Sequence, residues 1–197
     1  DLSHTLALLP QTTDVHVVSV KNECKELLFV LRRGNAAKIP RIHCINIMTD
    51  SSEQAFCFTP AEEQATPVLP AKSAGAYLYE PNASILKAGA YKQTALRTGV
   101  RKLHVNSHLY TSDEEVFDFP GRSFRIEEVL PFSGKICRTI ARNIPQANLT
   151  VRNFPLSVEE LRKRTKITDG GEIYLFATTL ADNQKVLIRC TKLSQFP

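Results

Sequence analysis

The stretch from Ala147 to Cys190 constrains the fold most, because local signals mark where its elements begin and end. Alternating residues predict a short strand that ends before Pro155. Ser157 and Glu160 have the spacing of a capping box, in which each side chain bonds the backbone N–H of the other residue. This pattern predicts a helix after Ser157, and Gly170-Gly171 supplies the turn that follows the helix.

Two runs rich in β-branched and aromatic residues follow, Glu172–Leu180 and Gln184–Lys192. The polar turn Ala181-Asp182-Asn183 separates them, so the three segments predict a β-hairpin. Upstream, Phe124–Leu130 predicts a strand, and a helix is expected from about residue 133 to 143. The C-terminal part of the chain therefore has the predicted order β-α-β-α-β-β.

A resemblance to a known family rests on three groups of segments. One group is RNFPLSVEELRKRTKITDGGEIYLFATTL with KVLIRC, which resembles the THUMP-like domain that closes a family of bacterial proteins. A second is YLYEPNASILKAGAY with KLHVNSHLYTS, which resembles the small ferredoxin-like domain of the same family. The third is VHVVSVKNECKELLFVL, which resembles the last strands of its front half, a class I S-adenosylmethionine-dependent methyltransferase domain.

The resemblance implies an α+β fold in three parts. Residues 1–60 would be the end of a Rossmann-like methyltransferase sheet, with a helix and β-hairpins, and residues 61–75 a linker. Residues 76–121 would be the small ferredoxin-like α/β domain, and residues 122–197 the THUMP-like domain. The resemblance also implies S-adenosylmethionine as cofactor of the parent protein. Because THUMP domains are associated with RNA-modifying enzymes, it implies RNA as a partner and a missing N-terminal methyltransferase domain.

The first 60 residues carry an independent sign that part of a domain is missing. Leucines within Leu2–Leu9 form one apolar stripe of a predicted helix. Val15–Val20 and Glu26–Leu31 are apolar on both faces, which is typical of strands inside a sheet covered on both sides. Such a hairpin cannot bury itself alone. Residues 41–48 and 54–59 predict a further hairpin.

Two connecting stretches join the predicted domains. Pro60–Lys72 carries several prolines among acidic and amide residues, which predicts an irregular linker. Before the last domain, Phe117 and Phe119 are expected to pack the junction with it.

The segment between these two connections predicts one strand, one helix and one extended return. Ala76–Glu80 is the predicted strand, and Asn82 is the expected N-cap of the helix. The helix is expected to continue through Gly89, at a cost of about 1 kcal/mol relative to alanine, so a close-packed neighbour is predicted there. Gly99 ends this helix, and Leu103–Tyr110 is predicted to be extended.

The chain lacks the sequence signals of a cofactor site or a catalytic centre. No G-x-G-x-x-G or similar loop follows a strand, and Gly170-Gly171 is the only adjacent glycine pair. We therefore expect no cofactor in this chain, and the resemblance implies that the S-adenosylmethionine-binding strands lie upstream. The acidic turn Asp113-Glu114-Glu115 and the other carboxylates form no recognisable acid–base pair, so no catalytic residue is predicted.

Two pairs of residues suggest chemistry against a structural alternative. Cys24 has charged neighbours that could lower a thiol pKa, with His16 as a base, but the segment is typical of a strand turn. His104 and His108 have the spacing of a helical metal pair. On an extended segment they would lie about 13 Å apart, so no metal is predicted.

The positive charge of the chain is concentrated in its C-terminal part. Residues 1–121 contain 12 Lys and Arg against 13 Asp and Glu, whereas residues 122–197 contain 13 against 7, a net charge of +6. A basic domain beside a neutral one suggests a polyanionic partner, most simply nucleic acid. The alternative is a solvated surface that keeps the protein soluble.

Eight basic side chains are the candidate RNA-binding residues. They are Lys135, Arg138, Arg142, Arg152, Arg162, Lys163, Arg164 and Lys166. The first three fall on one stripe of a predicted helix, whereas Arg162, Lys163 and Arg164 also suit the negative end of a helix dipole. Phe154, Tyr174 and Phe176 could stack on bases, although aromatic residues in strands usually belong to the core. The rival function is a structural or protein-interaction module that presents this basic face to an acidic partner.

The cysteines and the hydropathy pattern suggest the compartment. Five cysteines lie far apart, without a C-x-x-C pair, at positions 24, 44, 57, 137 and 190. An odd number without zinc-site spacing favours reduced thiols and a cytoplasmic location. No apolar run reaches the length of about 18 to 20 residues that a membrane-spanning helix needs, so no membrane association is predicted.

Overall fold

The computed structural model describes residues 2–34 and 39–193. The chain divides into two compact units. The first takes the chain up to Pro67 together with Pro81–Thr98, and the second takes Val68–Glu80 together with the chain from Gly99 onward. The domain boundaries proposed from the sequence stay predictions, because this division rests on compactness alone.

The first unit is built on a four-stranded sheet in the order β2-β1-β3-β4. Its elements are α1 (Leu2–Leu8), β1 (Thr12–Val20), β2 (Glu23–Leu31), β3 (Arg41–Ile47), β4 (Glu53–Phe58), α2 (Pro60–Ala65), α3 (Ala83–Ala88) and α4 (Tyr91–Thr98). β1 pairs with β2 and β3 pairs with β4 in antiparallel hairpins, whereas β1 and β3 are parallel. The helix and both hairpins predicted for the first 60 residues are confirmed.

One face of this sheet carries the core of the first unit. Val15 and Val17 of β1 are fully buried and pack with Ile85 of α3, and partly buried leucines of α1 pack against the same cluster. The strand β2 is much more exposed than β1. Leu28 and Leu31 are 51% and 49% exposed, and β2 pairs only with β1 among the described residues. This exposure agrees with the expectation that the hairpin of β1 and β2 cannot bury itself within this chain.

The segment that begins at Pro60 is helical instead of forming an irregular linker throughout. Thr59 caps α2 in a capping box, because its hydroxyl accepts from the N–H of Glu62 at 3.2 Å and the Glu62 carboxylate accepts from the N–H of Thr59 at 2.6 Å. The Glu63 carboxylate accepts bonds from the backbone N–H groups of Lys92 and Gln93 at 2.8 and 2.9 Å, at the start of α4. The Thr-x-x-Glu spacing was the local signal for this helix.

Gly89 was wrongly placed in the middle of a helix. It ends α3 with a left-handed φ of 82°, and the chain then turns into α4. A Cβ at this position would meet only the Tyr91 ring at 4.0 Å, so no close-packed neighbour explains the glycine. Its conformation explains it, since the left-handed region favours glycine. The predicted N-cap is confirmed, because the Asn82 side chain accepts from the N–H of Ile85 at 3.2 Å.

The second unit is built on a seven-stranded mixed sheet in the order β6-β7-β5-β8-β11-β10-β9. Its elements are β5 (Tyr77–Pro81, whose last residue belongs to the first unit), β6 (Arg101–Lys102), β7 (Tyr110–Ser112), β8 (Gly121–Pro131), α5 (Gly134–Thr139), a 3-10 turn (Ile140–Arg142), β9 (Asn148–Val151), α6 (Val158–Thr165), β10 (Ile173–Thr179) and β11 (Lys185–Lys192). The order β-α-β-α-β-β predicted from residue 122 onward is confirmed. β9 and β10 are parallel, and β10, β11 and β8 are successively antiparallel.

The sheet of the second unit has an apolar core on each face. Leu175 and Leu187 pack with Leu161 of α6, which places the helices over one face. Phe176 and Ile188, the alternate residues of the same strands, pack on the other face. The capping box that starts α6 is confirmed, because the Ser157 hydroxyl and the Glu160 carboxylate each accept a bond from the other residue's backbone N–H.

The segment from Leu103 to Leu109 is a loop, whereas the sequence predicted extended chain. Leu103 and Leu109 are buried in the core with Phe176, so the loop packs on the face of the sheet opposite α5 and α6. The hydroxyl of Ser107 lies 3.2 Å from that of Thr178 in β10. The loop therefore joins the first strands of this unit to its C-terminal hairpin.

The predicted junction is half correct. Phe119 is buried and contacts the Tyr79 ring with the centroids 4.9 Å apart. Phe117 was wrongly assigned to the core, since it is 82% exposed.

Candidate nucleic-acid interface

The two helices of the second unit bring basic residues from distant parts of the sequence together. α5 and α6 pack side by side, and Cys137 of α5 is buried. Burial raises the pKa of the Cys137 thiol, while Arg164 and Arg138 act to lower it. Because Arg138 belongs to α5 and Arg164 to α6, cations of both helices lie close enough to act on one side chain. We call the cations of α5, the 3-10 turn, α6 and the C-cap of α6 the helix layer. They are Lys135, Arg138, Arg142, Arg162, Lys163, Arg164 and Lys166.

The first stripe of the helix layer is exposed but less regular than predicted. Lys135 and Arg138 lie on the exposed side of α5, whereas Cys137 and Ile140 face the core. The predicted helix to residue 143 ends earlier, at Thr139, and continues as a 3-10 turn. A 3-10 turn has about 3.0 residues per turn instead of about 3.6, so Arg142 is exposed but rotated away from the stripe.

The second group of the helix layer is partly committed to structure. Arg162 donates to the Asp169 carboxylate and, at 3.4 Å, to the carbonyl of Ile167. Lys163, Arg164 and Lys166 are exposed. Lys166 also ends α6 in a left-handed conformation with a φ of 63°.

Arg152 lies apart from the helix layer, and a partner that sequence reasoning missed explains its position. The carboxylate of Glu80 is buried, and its two oxygens bind different arginines. Its Oε1 accepts from Nε of Arg152 at 3.1 Å, and its Oε2 accepts from Nε of Arg122 at 3.0 Å and also from Nη2 of Arg122. We call Glu80, Arg122 and Arg152 the Glu80 cluster.

Further polar groups lie near Arg152 or its chain neighbour Asn153. Lys102 is buried and its ammonium donates to the carbonyl of Val105 at 2.9 Å. His104 Nδ1 accepts from the N–H of Asn106 at 3.0 Å and lies 3.0 Å from Nδ2 of Asn153, a group that can only donate. His104 Nδ1 therefore serves as the acceptor, and Nε2 carries a proton.

Two cations, one of them in the Glu80 cluster, act on the half-buried side chain of His108. Burial lowers the pKa of His108 to about 4, and the charges of Lys102 and Arg152 lower it in the same direction. Neutral His108 therefore lies beside cations. A signal for this region existed in the sequence, since Glu80 is a lone acid in an apolar strand and a buried carboxylate requires partners.

The candidate stacking residues have mixed outcomes. Phe176 is fully buried and was wrongly considered for base stacking. Phe154 and Tyr174 are half-buried, and each ring already contacts another: Phe132 at 4.9 Å from Phe154, and Phe124 at 5.0 Å from Tyr174.

The two chemical alternatives acquire no supporting geometry. In the β1–β2 register Cys24 lies opposite Ser19, three positions along the strand from His16. His16 instead stacks on His43 with the ring centroids 4.6 Å apart, and His43 Nε2 lies 3.0 Å from Asp14 Oδ1. No group of three or more potential metal ligands occurs in residues 2–34 and 39–193.

The first unit also contains an open groove of about 860 Å³. Its lining is mostly apolar and includes Leu6, Leu27 and Ile42. Glu63 is the one carboxylate among the described lining residues, and its oxygens are bonded to the start of α4. The groove therefore offers no pair of carboxylates for acid–base chemistry.

Comparisons with known proteins place these features in context. Residues 121–192 match a family model described as THUMP domain-like, and residues 77–120 match a model described as a ferredoxin-like domain. Curated protein sequences gave no match. None of the helices in the described residues is long and apolar enough to cross a membrane.

A solved structure resembles nearly the whole chain. It is the crystal structure of a protein from Porphyromonas gingivalis W83 described as a "putative methyltransferase", with 44% sequence identity and a TM-score of 0.92. The similarity covers 98% of the present chain and 49% of that protein. The chain is thus similar to about half the length of a protein named for methyl transfer, and the matching half includes ferredoxin-like and THUMP-like regions.

Proposed function

We propose that this chain is the C-terminal, substrate-recognition region of an S-adenosylmethionine-dependent RNA methyltransferase, with the cofactor-binding core upstream. The observation that carries the proposal is the 44% identity over 98% of the chain to a protein described as a methyltransferase. Because the similarity spans about half of that protein, this chain would supply substrate binding and the other half the chemistry.

The RNA part of the proposal draws on the second unit. Residues 121–192 are similar to THUMP domains, which are associated with RNA-modifying enzymes. The helix layer of this unit exposes basic side chains from two helices, and residues 122–197 carry a net charge of +6. Exposed Lys and Arg residues bind nucleic acid mainly through its phosphates.

The upstream core is supported by the open edge of β2. A nine-residue strand with exposed leucines, on an edge that no other described strand pairs with, is an unfavourable arrangement in water, and proteins normally cover such edges. A further strand from the rest of the protein would pair with this edge and cover Leu28 and Leu31. The only adjacent glycines, Gly170 and Gly171, lie in the turn before β10 beside the Gln146 side chain. They do not follow a strand, so they do not fit a cofactor loop, and S-adenosylmethionine binding belongs upstream.

The proposal includes a cytoplasmic location and free thiols. Cys24, Cys44, Cys57, Cys137 and Cys190 are all unpaired in disulfide terms. Reduced cysteines are typical of cytoplasmic proteins.

The decisive experiment compares RNA binding with methyl transfer. The chain should bind labelled RNA with an affinity that falls linearly on a logarithmic salt scale, because bound phosphates release counterions. A longer protein carrying this region should transfer a labelled methyl group from S-adenosylmethionine to RNA, whereas the chain alone should not. Tight binding of an acidic protein in the absence of RNA binding would favour the interaction-module alternative and contradict the proposal.

A further inference from the structure

We propose that Arg122 and Arg152, held in place by Glu80, bind a phosphate group. For the source of that phosphate, an RNA backbone, the inference rests on the proposed function. The site itself follows from the geometry of the Glu80 cluster.

The cluster holds one more positive charge than its structural role requires. One guanidinium is sufficient to neutralise one carboxylate, and a bidentate pair is the usual arrangement. Here a single carboxylate holds two guanidinium groups, one on each oxygen. Among the described residues, Glu80 is the only ion-pair partner of either arginine. The second arginine is therefore left with a charge that no other described residue balances by an ion pair.

The two arginines are fixed yet still reach solvent. The Glu80 side chain is 2% exposed, whereas the side chains of Arg122 and Arg152 are 31% and 41% exposed. Each arginine binds the carboxylate through Nε and Nη2. A guanidinium has five N–H donors in a rigid fork, so both groups keep donors, including Nη1, for a ligand. Because the same carboxylate orients both forks, a tetrahedral oxyanion would contact two prepared donors.

The surroundings favour an anion over any other ligand. Lys102 adds a buried positive charge near Arg152, since both cations act on His108. His108 itself is neutral. His104 keeps its Nε2–H as a donor, because Nδ1 already accepts. The cluster thus presents cations and neutral donors around one carboxylate whose oxygens are both occupied. Phosphate suits this set, since arginine forks match its geometry.

A purely structural role explains less of the arrangement. Glu80 precedes residue 121 and Arg152 follows it, so their pair does link the parts of the two matched regions that lie in the second unit. The Ser107–Thr178 contact and the continuous sheet already make that link. Neither requires Arg122, and a link alone gives no reason for a second exposed guanidinium.

The first test uses inorganic phosphate and the intact chain. Phosphate should raise the unfolding midpoint by about 3 °C relative to sodium chloride of equal ionic strength, at about tenfold excess over its Kd. The gain should disappear in Arg122→Gln and Arg152→Gln. Arg125→Gln is the matched control, because Arg125 is an exposed arginine on the same strand, and it should keep the gain. No phosphate effect on the parent chain overturns the site.

A second measurement guards against unfolded variants. Arg152→Lys keeps a charge beside Glu80 but loses the fork, and it should weaken phosphate binding about tenfold in calorimetric titration. Glu80→Gln should weaken phosphate binding, because the amide oxygen can anchor only one of the two arginines. Unchanged phosphate binding in a folded Glu80→Gln chain would show that the arginines need no anchor, and would overturn the preorganised geometry.

The source of the phosphate is tested with RNA. Arg122→Gln and Arg152→Gln should each weaken RNA binding about tenfold at fixed salt, and Arg125→Gln should change it less. Phosphate binding with unchanged RNA binding in these variants overturns the RNA assignment. If the parent chain binds phosphate but no RNA, the proposed function fails while the anion site stands, so the two failures are distinguishable.

Discussion

The two groups of cations in the second unit differ in how they are held. The helix layer presents Lys135, Arg138 and their neighbours on exposed helix surfaces, where only Arg162 has an ion-pair partner among the described residues. In the Glu80 cluster a buried carboxylate fixes both arginines. The difference separates two contributions to anion binding. Free cations add long-range attraction that salt screens, whereas fixed guanidinium groups add oriented hydrogen bonds.

The largest expected effect comes from removing Glu80, the carboxylate that fixes both arginines of the Glu80 cluster. Glu80→Ala should lower the free energy of unfolding by about 3 kcal/mol, because it leaves two guanidinium groups without their shared carboxylate. Urea denaturation measures the change, and Glu172→Ala at an exposed acid provides the control. A loss similar to that of the control would mean that the Glu80 cluster is no more fixed than the helix layer.

Reversing the charge of three cations in the helix layer should weaken RNA binding and leave the fold intact. The triple variant Lys135→Glu, Arg138→Glu, Arg142→Glu should lose under about 0.5 kcal/mol of stability per position. Its RNA affinity should fall at least about 30-fold, and its salt slope should flatten by about 2. Fluorescence anisotropy across a salt series measures both quantities.

The second basic run supplies the comparison for that variant. Changing Arg162, Lys163 and Arg164 to glutamate should cost more stability, because positive charge at the end of α6 and the Arg162–Asp169 pair are both lost. If the triple variant of Lys135, Arg138 and Arg142 binds RNA as well as the parent chain, these three residues form only a solvated surface, and the proposed interface must lie elsewhere.

The Glu80 cluster should also affect how the free energy of unfolding depends on pH, because Arg152 acts on the pKa of His108. The folded-state pKa of His108, about 4, lies below the value of about 6.5 expected in the unfolded chain. The folded protein therefore binds fewer protons, and the stabilisation is complete above about pH 6.5 and declines as the pH falls towards 4. His108→Gln should flatten the stability profile in this window. Arg152→Gln should raise the pKa of His108 in an NMR titration, whereas Arg138→Gln should leave it unchanged.

The smallest expected effect concerns Arg162, which belongs to the helix layer but has an ion-pair partner. Asp169 pairs with Arg162 but its side chain is 81% exposed, so Asp169→Ala should cost only about 0.5 kcal/mol. RNA affinity should rise slightly because Arg162 is released. A loss of more than about 2 kcal/mol in the free energy of unfolding, measured by denaturant titration, would show that Arg162 is held as firmly as the arginines of the Glu80 cluster.

Much of the local structure and part of the candidate interface could be predicted. The capping box of Ser157 and Glu160, the N-cap at Asn82 and the C-terminal hairpin depend on residues close together in the chain. The exposure of Lys135 and Arg138 followed from helical periodicity in the same way. The errors arose where a neighbouring turn competed with that periodicity. Gly89 adopts a left-handed conformation, and the helix after Thr139 tightens into a 3-10 turn.

Local sequence signals were sufficient for most helices and strands, for their order from residue 122 onward and for the excess of positive charge in that part of the chain. Those properties depend on composition and on spacings of a few residues. Which cations are fixed depends on the folded chain, because Arg152 meets Glu80 across 72 positions and Arg122 meets it across 42. The fold also places β2 at an edge, where its leucines stay exposed. Both outcomes depend on which strands become neighbours, and no periodicity within a single segment encodes that.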